Sequence, residues 1–194
     1  MITGDIIDSD FTHLEKFCGA FKNIKSRYGV FAISGNHDFY SGIDNFYKFC
    51  KKSEIKIFSN SGEKINNAIF LCGIPDKESS VFGYEPADIK TAIKQNSENR
   101  LPIVLLSHRP DIFEDASKDG VNLVLAGHLH AGQIPPLDIG LMLFSKYFYG
   151  LYVKDGSSMY LSPGTGLWGP PMRLLSKSEI TKITLRSGLT DKNQ

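Results

Sequence analysis

The sequence has few cysteines, almost no net charge and no long apolar run, and each shortage excludes a class of protein. Its three cysteines, Cys18, Cys50 and Cys72, are widely spaced, which excludes a disulfide framework or a zinc knuckle and favours buried thiols in a reducing compartment. No apolar run reaches the roughly 18 residues that a bilayer span needs, and no signal-peptide pattern is found. The net charge of +1 gives no case for bulk nucleic-acid binding and leaves only a local basic patch open, and no such surface is evident in the sequence. We therefore expect a cytoplasmic protein.

The order of predicted elements indicates one α/β domain over residues 1–194, with residues 186–194 as a flexible polar tail. The predicted helices are 12–27, opened by a Thr12–Glu15 capping box, then 41–53, 86–95 and 110–118. The predicted strands are 29–34, 55–60, 68–74 (after a turn at 60–62), 101–107, 121–127, a hairpin across Asp155-Gly156, and 179–185.

Polar side chains follow four of the predicted strands directly. Asp5 follows the apolar stub at the start of the chain, and "GNHD", Gly35 to Asp38, follows the strand 29–34. His108 follows the strand 101–107, and "GHLH", Gly127 to His130, follows the strand 121–127. Ligands of open α/β sheets collect beyond the carboxyl ends of the strands. The sequence therefore predicts one site at this edge.

The residue types in this set predict a metal site. Taken alone, a Gly-Asp pair is usually a turn, and a histidine after a strand is usually a hydrogen-bonded structural residue; the joint pattern is what carries the prediction. Carboxylate and amide oxygens combined with imidazole nitrogens suit Mn, Fe or Zn, and argue against an all-oxygen calcium site. Two such metals can activate a water and clamp the oxygens of a phosphoryl group.

The motifs "GDIID", "GNHD", "LLSHRPD", "GVNLVLAGHLHAGQ" and "SPGTGLWGPPMRLL…EIT" together resemble the calcineurin-like metallophosphoesterases, in particular their bacterial membrane-associated phosphodiesterases. The similarity runs from Gly4 to about Thr184, which is nearly the whole chain. It implies an α/β fold in which two mixed β-sheets pack face to face and are flanked by helices, a four-layer sandwich.

The resemblance also implies roles for individual residues. Asp5 would bridge two divalent metals, one completed by Asn36, His108 and His128 and the other bound by His130. His37 would contact the phosphate and protonate the leaving oxygen. Asp38 would accept the second N–H of His37, and Asp8 would be structural. No substrate-binding residue follows from the motifs; Arg109 is equally compatible with a bidentate phosphate contact and with a surface ion pair.

One family motif is missing from the sequence. The family begins with a strand that ends in Asp-x-His and supplies further ligands to the metal held by His130, whereas the histidine nearest the start here is His13, in the first predicted helix. We therefore expect an N-terminally shortened member that lacks the first strand and binds one metal rather than two.

Two functions remain open from the sequence. The first is hydrolysis of a phosphoester or pyrophosphate by a metal-activated hydroxide. The second is an inactive or mono-metal remnant that acts as a binding or scaffold domain. The segment 134–150 is rich in apolar and aromatic residues beside the predicted metal loop. It is either core packing followed by a hairpin, or an exposed lip that contacts a membrane and receives a lipid-linked substrate.

Overall fold

The computed structural model describes residues 1–186, so the predicted tail 186–194 lies outside the described residues except for Arg186. The described chain forms two β-sheets with helices outside them. The strands are β1 (Val30–Ala32), β2 (Ile55–Ile57), β3 (Ser61–Ile65), β4 (Ile69–Gly73), β5 (Ile103–Leu106), β6 (Leu123–Ala126), β7 (Gly150–Lys154) and β8 (Ser157–Leu161).

The helices are short. The α-helices are α1 (Phe11–Leu14), α2 (Cys18–Lys22), α3 (Asn36–Tyr40), α4 (Ile43–Lys52), α5 (Glu78–Val81), α6 (Ile89–Ile93), α7 (Phe113–Lys118) and α8 (Leu137–Phe144). Single 3-10 turns occur at Glu15–Phe17, Lys94–Asn96, Pro110–Ile112 and His130–Gly132.

The larger sheet has six strands in the order β3-β4-β5-β6-β8-β7. Its four inner strands pair in parallel, and β3 and β7 add antiparallel edges, so the sheet is mixed. In the smaller sheet β1 pairs in parallel with β2, and Ile2 forms a parallel bridge to Ala32. Because these pairings are parallel, the carboxyl ends of β1, β5 and β6 lie close to the end of the Ile2 segment. One cluster of side chains can form there.

Three apolar clusters define four layers. One cluster joins α4 to the smaller sheet through residues such as Phe46 and Phe49. A second lies between the sheets, where Phe31 and Ile33 meet Leu71 and Leu106. The third covers the outer face of the larger sheet with α6 and α7. The sheets approach closely, since a Cβ at Gly73 would lie 2.4 Å from Ile33 Cγ2. The predicted face-to-face α/β sandwich is confirmed.

The two hairpins test the turn predictions. The turn at Asp155-Gly156 between β7 and β8 is confirmed. The turn predicted at 60–62 is wrong, because Ser61–Ile65 is itself a strand that pairs with β4. The chain reverses instead in a three-residue connection, 66–68, in which Asn66 and Asn67 both have a positive φ (52° each), a conformation that asparagine adopts more readily than most residues.

The predicted helix 12–27 is interrupted. The structure has α1, a 3-10 turn and α2 in its place, α1 begins after Asp10, and no side chain caps it, so the Thr12–Glu15 capping box is wrong. Cys18 is the one residue of these three elements that is buried. A helix with so little packed surface gains little tertiary stabilisation.

The predicted final strand 179–185 is also wrong, because the structure assigns no strand to these residues. Its alternating apolar residues do not face a core: Ile180 is 91% exposed. Alternation predicts a strand only where one face is buried against another layer.

All three cysteines are buried free thiols, and burial raises the pKa of Cys50 and Cys72 to about 12. Over residues 1–186, none of the helices is both long and apolar enough to cross a membrane.

Candidate metal centre

Three predicted ligands converge on a ring nitrogen of a fourth, His108. His108 Nε2 lies 3.1 Å from Asp5 Oδ2, 3.0 Å from Asn36 Oδ1 and 3.1 Å from His128 Nδ1. Possible ligand atoms of Asp5, His108 and His128 all lie within 4.8 Å of one another. The structure thus brings together residues that are up to 123 positions apart in sequence, from Asp5 to His128.

Hydrogen bonding orients the His108 ring toward this cluster. His108 Nδ1 lies 2.7 Å from the Thr3 carbonyl oxygen, which can only accept, so Nδ1 carries the proton. The lone pair of the neutral ring is then on Nε2, which faces the Asp5 and Asn36 oxygens. A backbone contact from the first residues of the chain therefore selects the tautomer that can bind a metal.

The electrostatics suit a cation. Burial acts to raise the pKa of Asp5, but the neighbouring His108 and the His37 backbone N–H more than offset it and lower that pKa. Burial lowers the pKa of His128 to about 4, with His108 and Arg109 acting in the same direction. Burial also opposes charging of His108, yet its contact with Asp5 leaves the pKa raised. The cluster thus contains one anionic carboxylate and a neutral imidazole, His128, near neutral pH.

Several site residues have backbone conformations that side chains rarely adopt. Asp5, His128 and His130 have φ of 53°, 76° and 51°. Each such residue costs on the order of 1–3 kcal/mol, so surrounding contacts must hold it. Glycines provide the space: a Cβ at Gly35 would lie 2.2 Å from Asp5 Oδ1.

Asp38 supplies the strongest of these contacts. Its Oδ1 accepts the backbone N–H of Ile6 and Ile7 at 3.0 Å each, and its Oδ2 accepts those of Asp5 at 2.9 Å and Gly35 at 2.7 Å. Burial raises the pKa of this carboxyl to about 7, while the backbone donors favour its charged form. The carboxylate joins the Asp5 segment to the "GNHD" turn.

The contact predicted between Asp38 and the His37 ring is not observed. His37 Nδ1 lies 2.9 Å from Asp8 Oδ1 instead, because all lone-pair directions of Asp38 face backbone donors. The backbone N–H of His37 donates to Asp5 Oδ1 at 2.9 Å. Asp8, predicted to be structural, is therefore the carboxylate that orients His37. The spacing in "GDIID" carries no signal for this contact, because residues 5–8 form neither a helix nor a strand.

His130 lies apart from the four-ligand cluster. Its Nδ1 is 3.2 Å from Arg173 Nη2, and its carbonyl oxygen accepts from Arg173 Nη1 at 3.3 Å. Burial, and then the charge of Arg173, lower the pKa of His130, which keeps the ring neutral. Sequence reasoning missed Arg173, although it lies in the quoted motif "SPGTGLWGPPMRLL".

Arg109 forms an ion pair, but a half-buried one. Its Nε lies 2.8 Å and its Nη2 3.3 Å from the two oxygens of buried Asp76, and its Nη1 lies 3.0 Å from His128 Nε2. Of the two predicted roles, the ion pair is the one observed. The guanidinium is held against the outer nitrogen of a predicted metal ligand.

Residues of the segment 134–150 are exposed or half-buried, except for buried Tyr147; Leu141 and Phe148 are among the half-buried ones. Helix α8 contains no buried residue, and Met142, Leu143 and Phe144 are exposed. The helix packs on the His130–Gly132 turn, where a Cβ at Gly132 would lie 2.1 Å from Asp138 Cα. The apolar face of α8 therefore adjoins the His130–Gly132 turn and is not core packing.

Comparison with known proteins gives a consistent result. Residues 1–132 match the calcineurin-like phosphoesterase family. The chain is 34% identical over 187 residues to an uncharacterized metallophosphoesterase of Helicobacter pylori strain J99, which covers 95% of this chain and 50% of that protein. It is 34% identical over 198 residues to a Danio rerio transmembrane protein with metallophosphoesterase domain, covering 96% of this chain and 45% of that protein. The chain spans about half the length of these curated relatives.

A solved structure of similar fold is the Thermus thermophilus sulfate thiohydrolase SoxB, with a TM-score of 0.55 at 12% identity over 82% of this chain and 33% of that chain. Two sheets packed face to face, with candidate oxygen and nitrogen ligands clustered at the ends of their strands, define the class as an α/β sandwich with a candidate metal centre. The chain belongs to the calcineurin-like phosphoesterase family.

Asp38→Asn should destabilise the fold by about 1–3 kcal/mol, because the amide group would place a donor against a backbone donor and leave buried N–H groups unpaired. Urea unfolding measures this change. Asp155→Asn, the same substitution in an exposed hairpin turn, serves as the control and should have little effect. Equal stability of the two variants would show that Asp38 does not hold the Asp5 segment.

Proposed function

We propose that the chain, as a single domain over 1–194, is a metal-dependent phosphoesterase that hydrolyses a phosphoester or pyrophosphate bond. The observation that carries the proposal is the convergence of Asp5, Asn36 and His128 around His108 Nε2, with His37 close by. Membership of a metal-dependent phosphoesterase family supports the same reaction class.

The four converging residues fit a divalent metal such as Mn, Zn or Fe. The donor set combines a carboxylate, an amide oxygen and two imidazoles, one with its tautomer selected by Thr3. When bound, the metal would activate a water and stabilise charge on the phosphoryl oxygens. His130 would be a ligand of a second metal, and we propose that this 194-residue chain binds one equivalent tightly.

The residues around the cluster would position the substrate and transfer its proton. His37 would protonate the leaving oxygen, and Asp8 would hold the imidazole by accepting its Nδ1–H. Asp38 would keep Asp5 and the His37 backbone in register. Asp76 holds Arg109 against His128 Nε2, and there the charge of Arg109 lowers the pKa of the imidazole while Asp76 opposes that effect.

Titration with Mn²⁺ should give one equivalent bound by the wild-type chain. The substitution His108→Gln should weaken the Mn²⁺ affinity by at least about a hundredfold, because losing even a hydrogen-bond partner of a metal ligand typically weakens metal affinity 10–100-fold. Calorimetry measures both quantities. His13→Gln, an exposed histidine in α1, is the matched control. Unchanged affinity in His108→Gln would rule out the proposed ligand set, and two tight equivalents would contradict the single-metal proposal.

His37→Gln should lower kcat for bis(p-nitrophenyl) phosphate by about 10²–10⁴-fold, the usual contribution of a general acid, without changing the bound Mn²⁺. Asp8→Ala should cause a smaller loss, because the ring keeps its proton but not its orientation. The readouts are initial rates and metal content. Metal binding without hydrolysis by the wild-type chain would favour the alternative function, a binding or scaffold domain.

We further propose that the exposed face of α8 contacts a membrane and receives a lipid-linked phosphoester. The apolar side chains of α8 adjoin the metal loop, and one relative is named a transmembrane protein. A surface of this kind usually marks an interaction site.

Leu143→Ser should reduce partitioning onto phosphatidylglycerol vesicles about tenfold or more, because burying a leucine side chain contributes about 1.5–3 kcal/mol. Co-sedimentation measures the bound fraction. Val81→Ser is the control, since Val81 is 75% and Leu143 72% exposed. Absence of vesicle binding by the wild-type chain would remove the lipid proposal and leave a generic phosphoester.

A further inference from the structure

A second feature beside His37 has no role in the proposed chemistry. Four aromatic rings, those of Phe39, Tyr40, Phe82 and Tyr84, line a cleft of about 320 Å³. Small-molecule sites have volumes of about 300–1,000 Å³ and are lined mainly by apolar and aromatic side chains. The cleft is thus large enough for part of a substrate.

The rings of this aromatic cleft are open to solvent. Their centroids are 5.9 Å apart for Phe39 and Phe82, 6.0 Å for Phe39 and Tyr84, and 6.1 Å for Tyr40 and Phe82. Phe39 is buried and forms the floor, whereas the other three rings are exposed. Aromatic rings usually bury their faces, so three exposed rings around one buried ring form a surface on which a flat ligand can stack.

One wall of the cleft, Tyr40, contacts the proposed general acid His37. The Tyr40 and His37 rings lie one helical turn apart on α3, with centroids 5.5 Å apart in an edge-to-face arrangement. A group on the leaving oxygen that His37 would protonate could therefore reach the cleft by passing Tyr40.

The opposite wall of the cleft also leads to the metal centre. Asp76 precedes α5, and Phe82 and Tyr84 follow it, so all three lie in the segment between β4 and α6. Asp76 donates its backbone N–H to the Ser34 carbonyl at 3.2 Å and binds Arg109 through its carboxylate. One loop thus joins the aromatic rings to the residues around His128.

We propose that the aromatic cleft binds the nucleobase of a nucleotide phosphoester, with the nucleoside on the leaving-group side of the phosphate. The inference rests on the proposed function for the position of the phosphate. Stacking on aromatic rings is how proteins bind bases without sequence preference. The exposed carboxylate of Asp44, which also lines the cleft, can accept hydrogen bonds from the amino or imino groups of a base.

The binding test compares adenosine 5′-monophosphate with ribose 5-phosphate, which differ only in the base. Calorimetry on the chain in Mn²⁺ should give a Kd for the nucleotide at least about tenfold lower than for the sugar phosphate, which is within the range of one base-aromatic stacking contact. Equal Kd values for the two probes would overturn the inference.

Variants localise the effect. Tyr84→Ala should raise the nucleotide Kd about tenfold and leave that of ribose 5-phosphate unchanged, while Tyr84→Phe, which keeps the ring, should retain the preference. Tyr28→Ala is the matched control, because Tyr28 is 45% and Tyr84 46% exposed. Thermal unfolding of each variant confirms folding. A Tyr84→Ala variant that weakens both probes equally, or neither, would overturn the inference.

The two proposals fail in different ways. Hydrolysis of bis(p-nitrophenyl) phosphate without any base preference would overturn the cleft and leave the phosphoesterase proposal intact. A base preference that depends on Tyr84, in a chain that hydrolyses no phosphoester, would support the cleft and overturn the phosphoesterase proposal.

Discussion

Four backbone N–H groups converge on the buried Asp38 carboxylate, and the geometry of the candidate metal centre depends on that convergence. The donors come from Gly35 and from residues 5–7, which are separated by about 30 positions. Only a carboxylate offers enough lone pairs on so short a side chain to accept all four. The contact holds Asp5 at a positive φ, which a non-glycine residue adopts only where its surroundings compensate for the strain.

The charged groups around the imidazoles are also paired. Burying a charge is costly unless it is paired, and each charged group near His128 has a partner: Arg109 pairs with Asp76, and Asp5 lies against His108. Backbone atoms complete the arrangement. The Thr3 carbonyl selects the His108 tautomer, and the carbonyls of Pro163 and Gly166 accept hydrogen bonds from Arg173 beside His130. The site is therefore built as much from main-chain groups as from side chains.

The surfaces proposed to have functions lie at three places in the sandwich. The candidate metal ligands lie at the strand ends, the aromatic cleft lies on the side of α3, and the apolar face of α8 lies beyond the His130–Gly132 turn. This arrangement follows from parallel strands, because loops that leave the same edge of two sheets are the positions where side chains from distant parts of the sequence can meet.

Much of the fold and the ligand set could be predicted from the sequence, because both depend on local patterns. Buried strands such as β5 and β6 are continuous apolar runs, and each ends directly in a candidate ligand, so His108 and His128 could be assigned to one edge before their distance was known. Apolar patterns predicted the elements less well where the segment has no other layer of the fold to pack against. The alternation at 179–185 has no layer to face, and the apolar spacing at 12–27 has too little surface to pack against, so neither became the predicted element.

Pairings between side chains were decided only by tertiary structure. Whether Asp8 or Asp38 contacts the His37 ring depends on the directions in which the chain leaves the Ile2 bridge and β1, and a one-dimensional spacing contains no such direction. The aromatic cleft likewise combines α3 with a loop more than 40 positions later. The sequence by itself determined which chemical groups follow each strand; the packing of the two sheets determined which of those groups touch, because contact depends on distance in space and not on separation along the chain.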